Sequence, residues 1–205
     1  MSIFYLEPAS PLSPCRRNAF AFFALFVIIL MTYSNTFNAS WHFDDQTNIL
    51  ENERLHLDEL SWAKIKQTFF SPATGKFGLY RPAACLSFAL NYYFGQKDIF
   101  GYHLVNLSIH FLASIFLFLF IFDALNLPRL RDIYGLNAYS TALLSTILWA
   151  INPIQTQAVT YIVQRMASMA GMFFIMSMYF YVKGRTSKRT SLRITHYLAC
   201  GVTAV

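Results

Sequence analysis

The stretch Ala19–Phe37, with the sequence AFAFFALFVIILMTYSNTF, decides the fold class of this chain. It carries no charge, and it has the length of about 20 apolar residues that a helix needs to cross the hydrocarbon core of a bilayer. Shortly after it comes Trp41–Asp45 (WHFDD), where an aromatic anchor is followed at once by two carboxylates. We therefore interpret the stretch as a membrane-spanning helix that brings acidic groups to a membrane surface.

The composition predicts a polytopic membrane protein. Hydrophobic residues make up 56% of the 205 residues and charged residues 13%, so the chain has more apolar surface than a soluble domain of this length could bury. Besides 19–37, spans are predicted at 101–122, 136–151 and 166–182, and the segment 194–205 is interpreted as a truncated fifth span. The predicted fold class is all-α: a transmembrane helix bundle with juxtamembrane helices in a large first outer loop, 38–100.

The basic residues predict the orientation of this bundle. They cluster at alternate ends of the spans, at Arg16, Arg17, Arg129, Arg131, Lys183, Arg185, Lys188, Arg189 and Arg193. Because cytoplasmic loops carry an excess of Lys and Arg, residues 1–18 are interpreted as a cytoplasmic tail and 19–205 as the N-terminal part of a membrane domain. The first loop then lies outside, or in the lumen of a eukaryote. This distribution argues against nucleic acid as a partner.

Several local features are predicted between the spans. Asp58 is expected to cap an amphipathic helix over Glu59–Phe70 that lies in the membrane interface. A loop is predicted over Ser71–Tyr80, followed by a helix from Pro82 to about Phe94 that Gly95 ends. The segment 154–165 is expected to continue as helix into the fourth span, where the small residues Ala167 and Gly171 predict close helix packing.

The adjacent carboxylates Asp44 and Asp45 are the first candidates for chemistry. A transferase needs a base that takes a proton from an acceptor hydroxyl, or a carboxylate that holds a divalent cation. Two adjacent carboxylates also raise each other's pKa, which favours proton exchange near neutral pH. The alternative is a solvated acidic turn. The sequence leaves open which carboxylate is the base, and no cofactor is implied beyond a possible cation at this pair.

Polar residues near the ends of the spans are further candidates. His103, Asn106 and His110 form one stripe on the second span, with His103 the better site candidate and interhelical hydrogen bonding the alternative. Arg81 and Arg165 oppose the positive-inside trend, and a guanidinium suits phosphate, with snorkelling as the alternative. The amides of Gln155 and Gln157 would either bind a sugar or cap a helix.

Four strings in register resemble a known group of enzymes. They are Phe43-Asp44-Asp45-x-x-x-Ile49-x-x-Asn52, Tyr80-Arg81-Pro82, Gly101-Tyr102-His103-Leu104-Val105-Asn106, and Asn152-Pro153-Ile154-Gln155-Thr156-Gln157-Ala158-Val159 through Arg165. Together they resemble the membrane-embedded glycosyltransferases of the C-type fold. Within that group they look most like the transmembrane, tetratricopeptide-repeat-containing O-mannosyltransferases and their bacterial relatives.

The resemblance implies transfer of a hexose from a polyprenyl- or dolichyl-phosphate carrier to a protein or glycan hydroxyl at the outer membrane face, with inversion. It also implies that Asp44 or Asp45 is the catalytic acid and that Arg81 and Arg165 hold the lipid phosphate. Relatives often have His-Pro where this chain has Asn152-Pro153, and Thr-Glu where it has Thr156-Gln157. This leaves the Asp pair as the only strong candidate for the catalytic acid. Relatives also have further spans and a repeat domain, so the chain is interpreted as an inactive fragment.

Two other functions are compatible with the same residues. A transporter or flippase-like carrier would use the polar stripe on the second span as part of a substrate path. A non-catalytic membrane scaffold would bind a partner through its outer loop, with Trp62 rather than the Asp pair as the sensitive position.

Overall fold

The computed structural model of the protein describes residues 14–70 and 81–204, and the regular structure in these ranges is helical. It comprises α1 Pro14–Tyr33, α2 Trp62–Phe69, α3 Pro82–Gly95, α4 Ile99–Leu125, α5 Pro128–Tyr134, α6 Ala138–Ala150, α7 Gln155–Thr160, α8 Arg165–Thr186 and α9 Thr190–Ala204. The all-α prediction is confirmed. The loop predicted at 71–80 and most of the predicted tail lie outside the described residues. The last residues of that tail are already helical, because α1 begins at Pro14.

Within the described ranges, three helical stretches are long and apolar enough to cross a membrane: Arg16–Asn38, Ile99–Leu125 and Ile162–Thr186. The chain is thus a membrane protein by the length and composition of its helices. The third predicted span is shorter than expected, because α6 has 13 residues. At 1.5 Å per residue it extends about 20 Å, less than the ~30 Å hydrocarbon core.

Helix α6 runs beside α1 in the same direction. At one end, the Tyr139 hydroxyl donates a hydrogen bond to the carbonyl of Arg17 (2.8 Å). At the other end, the Tyr33 hydroxyl donates to the carbonyl of Ala150 (3.0 Å). Helix α4 lies between α8 on one side and the pair α1 and α6 on the other. Its buried Phe118 packs against α1 and α6. Helix α4 is therefore the central element of the bundle.

The first loop is folded against the helices rather than extended into solvent. Buried apolar side chains from it, from α3 and from the start of α8 form one hydrophobic cluster, which includes Ile49, Leu55, Leu57, Ala84, Phe88, Ile162 and Met166. Helix α3 occupies the predicted range. Helix α2 is shorter than predicted, since it begins at Trp62, and Ser61 caps it by accepting from the Lys64 amide (3.4 Å). Asp58 does not cap this helix but forms an ion pair with the Lys64 ammonium group.

Two expectations about the fourth span are wrong for the described residues. The helix over 154–165 is interrupted, because Tyr161 has an extended backbone (φ −85°, ψ 116°) between α7 and a 3₁₀ turn that leads into α8. Close packing does not occur at Gly171, where an added Cβ would meet nothing within 4 Å. It occurs at Gly184, where a Cβ would lie 2.6 Å from the ring of Tyr197 on α9.

Candidate active site at the Asp44–Asp45 turn

Asp45 is buried at the contact between the first loop and α8. Its side chain is 1% exposed. One carboxylate oxygen accepts a hydrogen bond from the Val163 amide (2.8 Å) and the other accepts from the His42 amide (3.0 Å). Burial raises the pKa of Asp45 above its ordinary value. The two amide donors and the nearby His42 lower this pKa, and the charge of Asp44 raises it. Asp45 thus connects the first loop to the 3₁₀ turn that leads into α8.

Asp44 has the opposite environment, because its side chain is exposed. Its backbone is nevertheless held, since its amide donates a hydrogen bond to the Tyr161 hydroxyl (2.9 Å). The residue before it, Phe43, has a φ of 39°, in the left-handed region that residues other than glycine rarely adopt. Such strained positions cluster at functional sites. The turn therefore presents one accessible carboxylate on a restrained backbone.

Arg165 lies beneath this turn and is fully buried. Its guanidinium donates to the side-chain oxygens of Asn106 (2.7 Å), Asn91 (2.6 Å) and Ser87 (3.2 Å) and to the carbonyl of Tyr102 (2.9 Å). It also stacks over the ring of Phe88, 4.4 Å from the ring centroid. Arg165 therefore joins α3, α4 and α8, and its donors point at protein acceptors.

Arg81 differs from Arg165 in being exposed. It precedes α3 with a φ of 41°, again in the left-handed region, and its guanidinium donates to the sulfur of Met166 (3.3 Å). Since Met166 directly follows Arg165, the two arginines occupy one region, with Arg81 at its surface and Arg165 in its interior.

The histidines of the second span lie at two depths. His103 is buried, and its Nδ1 is 3.1 Å from the Thr36 hydroxyl at the end of the first span. His110 is 2.9 Å, through Nε2, from the carbonyl of Ala150 and stacks on Trp149. The His110 contacts are the interhelical kind that the sequence suggested as an alternative to function.

The two glutamines lie on α7, which leads into Tyr161. Gln155 is half-buried and Gln157 is exposed. Their side-chain amides make no hydrogen bond to the rest of the described residues, so they are available to a ligand. Helix α7 is connected to Asp44 through the Tyr161 hydroxyl.

The carboxylates of Asp44 and Asp45 do not form a binding site for a divalent cation. Divalent cations held by protein side chains take several oxygen ligands. Here the Asp45 oxygens already accept from two amides, which leaves Asp44 as the accessible carboxylate. Among residues 14–70 and 81–204, no three His, Cys, Asp or Glu side chains gather as metal ligands. The residues at Asp44 and Asp45 therefore do not fit a divalent cation.

Sequence reasoning missed two partners at this site. Tyr161, which holds the Asp44 amide, has no local signal that distinguishes it from other interfacial tyrosines. Asn106 belongs to the predicted polar stripe, whereas its pairing with Arg165 is seen only in the structure. A buried arginine requires hydrogen-bond acceptors, so the amides of Asn91 and Asn106 on otherwise apolar helices are the sequence signal that could have located them.

These features define a class: a helical membrane protein with a carboxylate pair at one end of its helices. Within that class, the chain is 34% identical over 178 residues to the protein O-mannosyl-transferase tmtc2 of Xenopus laevis, covering 83% of this chain and 20% of the relative. It is 33% identical over 168 residues to TMTC2 of Mus musculus (80% and 19%) and 26% identical over 161 residues to TMTC3 of Homo sapiens (77% and 16%).

The predicted resemblance to transmembrane O-mannosyltransferases is thereby confirmed over about four fifths of this chain. The homologues are named as protein O-mannosyl-transferases, which are glycosyltransferases. The chain spans about a fifth of the length of these curated relatives. No family model and no solved structure matches it.

Proposed function

We propose that the protein transfers a mannose-like hexose from a polyprenyl-phosphate carrier to a hydroxyl of a protein or glycan at the extracytoplasmic membrane face. The observation that supports this most is the turn at Asp44, where an accessible carboxylate is held beside a buried one at the ends of membrane helices. The names of the homologues supply the sugar and the reaction type. A membrane-bound donor requires such a site at the bilayer surface.

In the proposed reaction, Asp44 is the general base. Its carboxylate takes the proton of the acceptor hydroxyl, and the hydroxyl oxygen attacks the anomeric carbon from the face opposite the phosphate. The bond between that carbon and the phosphate oxygen breaks, and the carrier phosphate leaves with the electron pair. A single displacement of this kind inverts the anomeric configuration. Asp45 acts as a positioning residue, because its oxygens are occupied by the amides of His42 and Val163.

The two arginines have different roles in this proposal. Arg81 is exposed and contacts the departing phosphate, since a guanidinium stabilises phosphate charge through paired hydrogen bonds. Arg165 was predicted for the same role, but its donors are taken by protein acceptors, so it adds positive charge beneath the phosphate and holds α3, α4 and α8 in place. We assign the sugar hydroxyls to Gln155 and Gln157. His103 is buried and contacts Thr36, so we assign it a structural role at the end of the first span.

The test is transfer of labelled hexose from a polyprenyl-phosphate donor, using membranes that express the protein at its full natural length. Asp44→Asn is expected to lower the rate by about 10²–10⁴-fold, the usual contribution of a general base. Arg81→Gln should weaken donor binding and transfer. Glu53→Gln and Lys97→Gln, which change exposed charges in the same outer segment, should retain activity.

The same assay separates the alternatives. Full transfer by Asp44→Asn and by Asp45→Asn would remove the carboxylate pair from the mechanism. Uptake of the sugar carrier into sealed vesicles without covalent transfer would instead support the transporter. If neither activity is found and the Asp variants behave as wild type, the scaffold is favoured.

A further inference from the structure

An open groove lies at the other end of the bundle, far from Asp44. Its volume is about 630 Å³, and two arginines line it, Arg129 in the first turn of α5 and Arg185 in the last turn of α8. The rest of its lining is mainly apolar and comprises Leu127, Pro128, Leu130, Tyr181 and Val182. The groove therefore combines two cations with a hydrocarbon-like wall.

The position of the groove places it at a membrane surface. Helix α4 has 27 residues and α8 has 22, and the groove lies where both end, so α4 separates it from the first loop by about 40 Å. Tyr181 lies near the C-terminal end of α8, and tyrosine is enriched at the ends of membrane-spanning helices. Lipid headgroups and the upper parts of acyl chains occupy this level of a bilayer.

The charge of the groove is not neutralised by the described part of the chain. The nearby Asp123 is paired with the Lys183 ammonium group (2.7 Å). Arg129 and Arg185 are exposed, and within residues 14–70 and 81–204 neither has a carboxylate within ion-pair distance. The two guanidiniums are thus available to an anion, and their planar forks match phosphate oxygens.

We propose that this groove binds the headgroup of an anionic phospholipid from the leaflet on its side of the membrane. Arg129 and Arg185 hold the phosphodiester and the headgroup charge, and the acyl chains lie along Leu127, Leu130 and Val182. Basic pockets between transmembrane helices bind anionic headgroups in this way. The apolar lining favours a lipid over a free anion. A zwitterionic headgroup is disfavoured, because the described residues place no carboxylate in the groove to pair with the headgroup's own cation. The site is independent of the transfer reaction.

The test uses native mass spectrometry of the protein at full natural length, released from micelles that contain phosphatidylglycerol or phosphatidylcholine. Wild-type protein should retain phosphatidylglycerol in preference to phosphatidylcholine. The preference should fall about fivefold in R129Q or in R185Q, and about thirtyfold in the double variant, from the ~1 kcal/mol that each basic residue contributes near anionic lipid. R189Q/R193Q is the matched control, because it removes two exposed charges from the same face outside the groove.

A control variant that retains the wild-type preference supports the groove as the site. An equal loss in R189Q/R193Q would overturn the proposal, because the preference would then follow the total charge of the face. A wild-type protein without preference for phosphatidylglycerol, or an unchanged preference in R129Q/R185Q, would overturn it as well. Circular dichroism of each variant, compared with wild type, confirms that the fold is retained.

Discussion

Asp44 and Asp45 are chemically identical neighbours with opposite environments. Asp45 points into the protein, where two backbone amides satisfy its oxygens, whereas the Asp44 side chain is exposed and the backbone amide and carbonyl of Asp44 are hydrogen-bonded. A buried carboxylate is tolerated when donors compensate for its lost hydration. This division separates a positioning role from a chemical one within a single dipeptide.

The division predicts a difference in stability between two matched variants. Asp45→Ala leaves the buried Val163 amide without its acceptor, which should cost about 1–3 kcal/mol of unfolding free energy. Asp44→Ala changes an exposed side chain and should alter stability by less than about 0.5 kcal/mol. Thermal unfolding of the purified protein in detergent, followed by circular dichroism, measures both. A larger loss in Asp44→Ala than in Asp45→Ala would contradict the assignment.

Arg165 shows how a buried charge is accommodated by neutral acceptors. Amide, hydroxyl and carbonyl oxygens of Asn91, Asn106, Ser87 and Tyr102 accept its donors, and Phe88 covers the guanidinium face. Lysine has no planar fork and could not reach these acceptors together. The residue therefore serves as a structural junction of three helices directly beneath the proposed phosphate position.

At the scale of elements, the decisive feature is the interruption between α7 and α8. The Asn106 amide lies 3.4 Å from each of the carbonyls of Val159, Tyr161 and Ile162, which flank the break. The restart exposes new N-terminal amides, and Asp45 accepts from one of them. The interruption is thus stabilised by side chains from α4 and the first loop rather than by a local breaker residue.

Helices α8 and α9 provide a prediction at this scale. Gly184→Ala places a Cβ 2.6 Å from the Tyr197 ring, so the two helices must separate or the ring must move, at a cost of about 1–3 kcal/mol. Gly171→Ala on the same helix meets nothing among the described residues and should be neutral or slightly stabilising. Hydrogen exchange of the α9 amides measures the difference: exchange should accelerate in Gly184→Ala alone, and equal exchange in both variants would refute it.

At the scale of the whole molecule, one hydrogen bond constrains the path of the chain. The Val163 amide meets the Asp45 carboxylate, whereas α4 has carried the chain to the opposite end of the bundle by Leu125. The chain must therefore return between 126 and 162, and α6 is the helix of the described chain that makes this return beside α1. We propose that α6 makes this crossing although it is short.

This path predicts two opposite faces that chemical labelling can distinguish. In a cysteine-free background, Glu59→Cys in the first loop should react with a membrane-impermeant maleimide added outside sealed cells or, for a eukaryotic protein, inside the lumen. Arg189→Cys should react only when the reagent reaches the cytoplasm, because the basic residues cluster on that face. Both positions are exposed, so burial does not bias the comparison. Labelling of both from one side would exclude the proposed topology.

Much of the helical framework followed from local patterns. The apolar runs in α1, α4 and α8 are long enough to predict helices on their own, because each has to satisfy its backbone hydrogen bonds internally in lipid. The Pro82 start of α3 was equally predictable. The cap of α2 was not, since Asp58 and Ser61 both have oxygens suited to the role, and Ser61 is the cap because the helix begins at Trp62.

The sequence by itself determined that this is a helical membrane protein, which residues carry charge at its two faces, and that an acidic pair follows the first span. Only the tertiary structure decided which carboxylate is accessible, that Arg165 is buried, and that the helix leading into the fourth span is interrupted at Tyr161. The physical reason is separation along the chain. Apolar length is a local property of some 20 residues, whereas the partner of Asp45 lies 118 residues away and no local pattern encodes that contact.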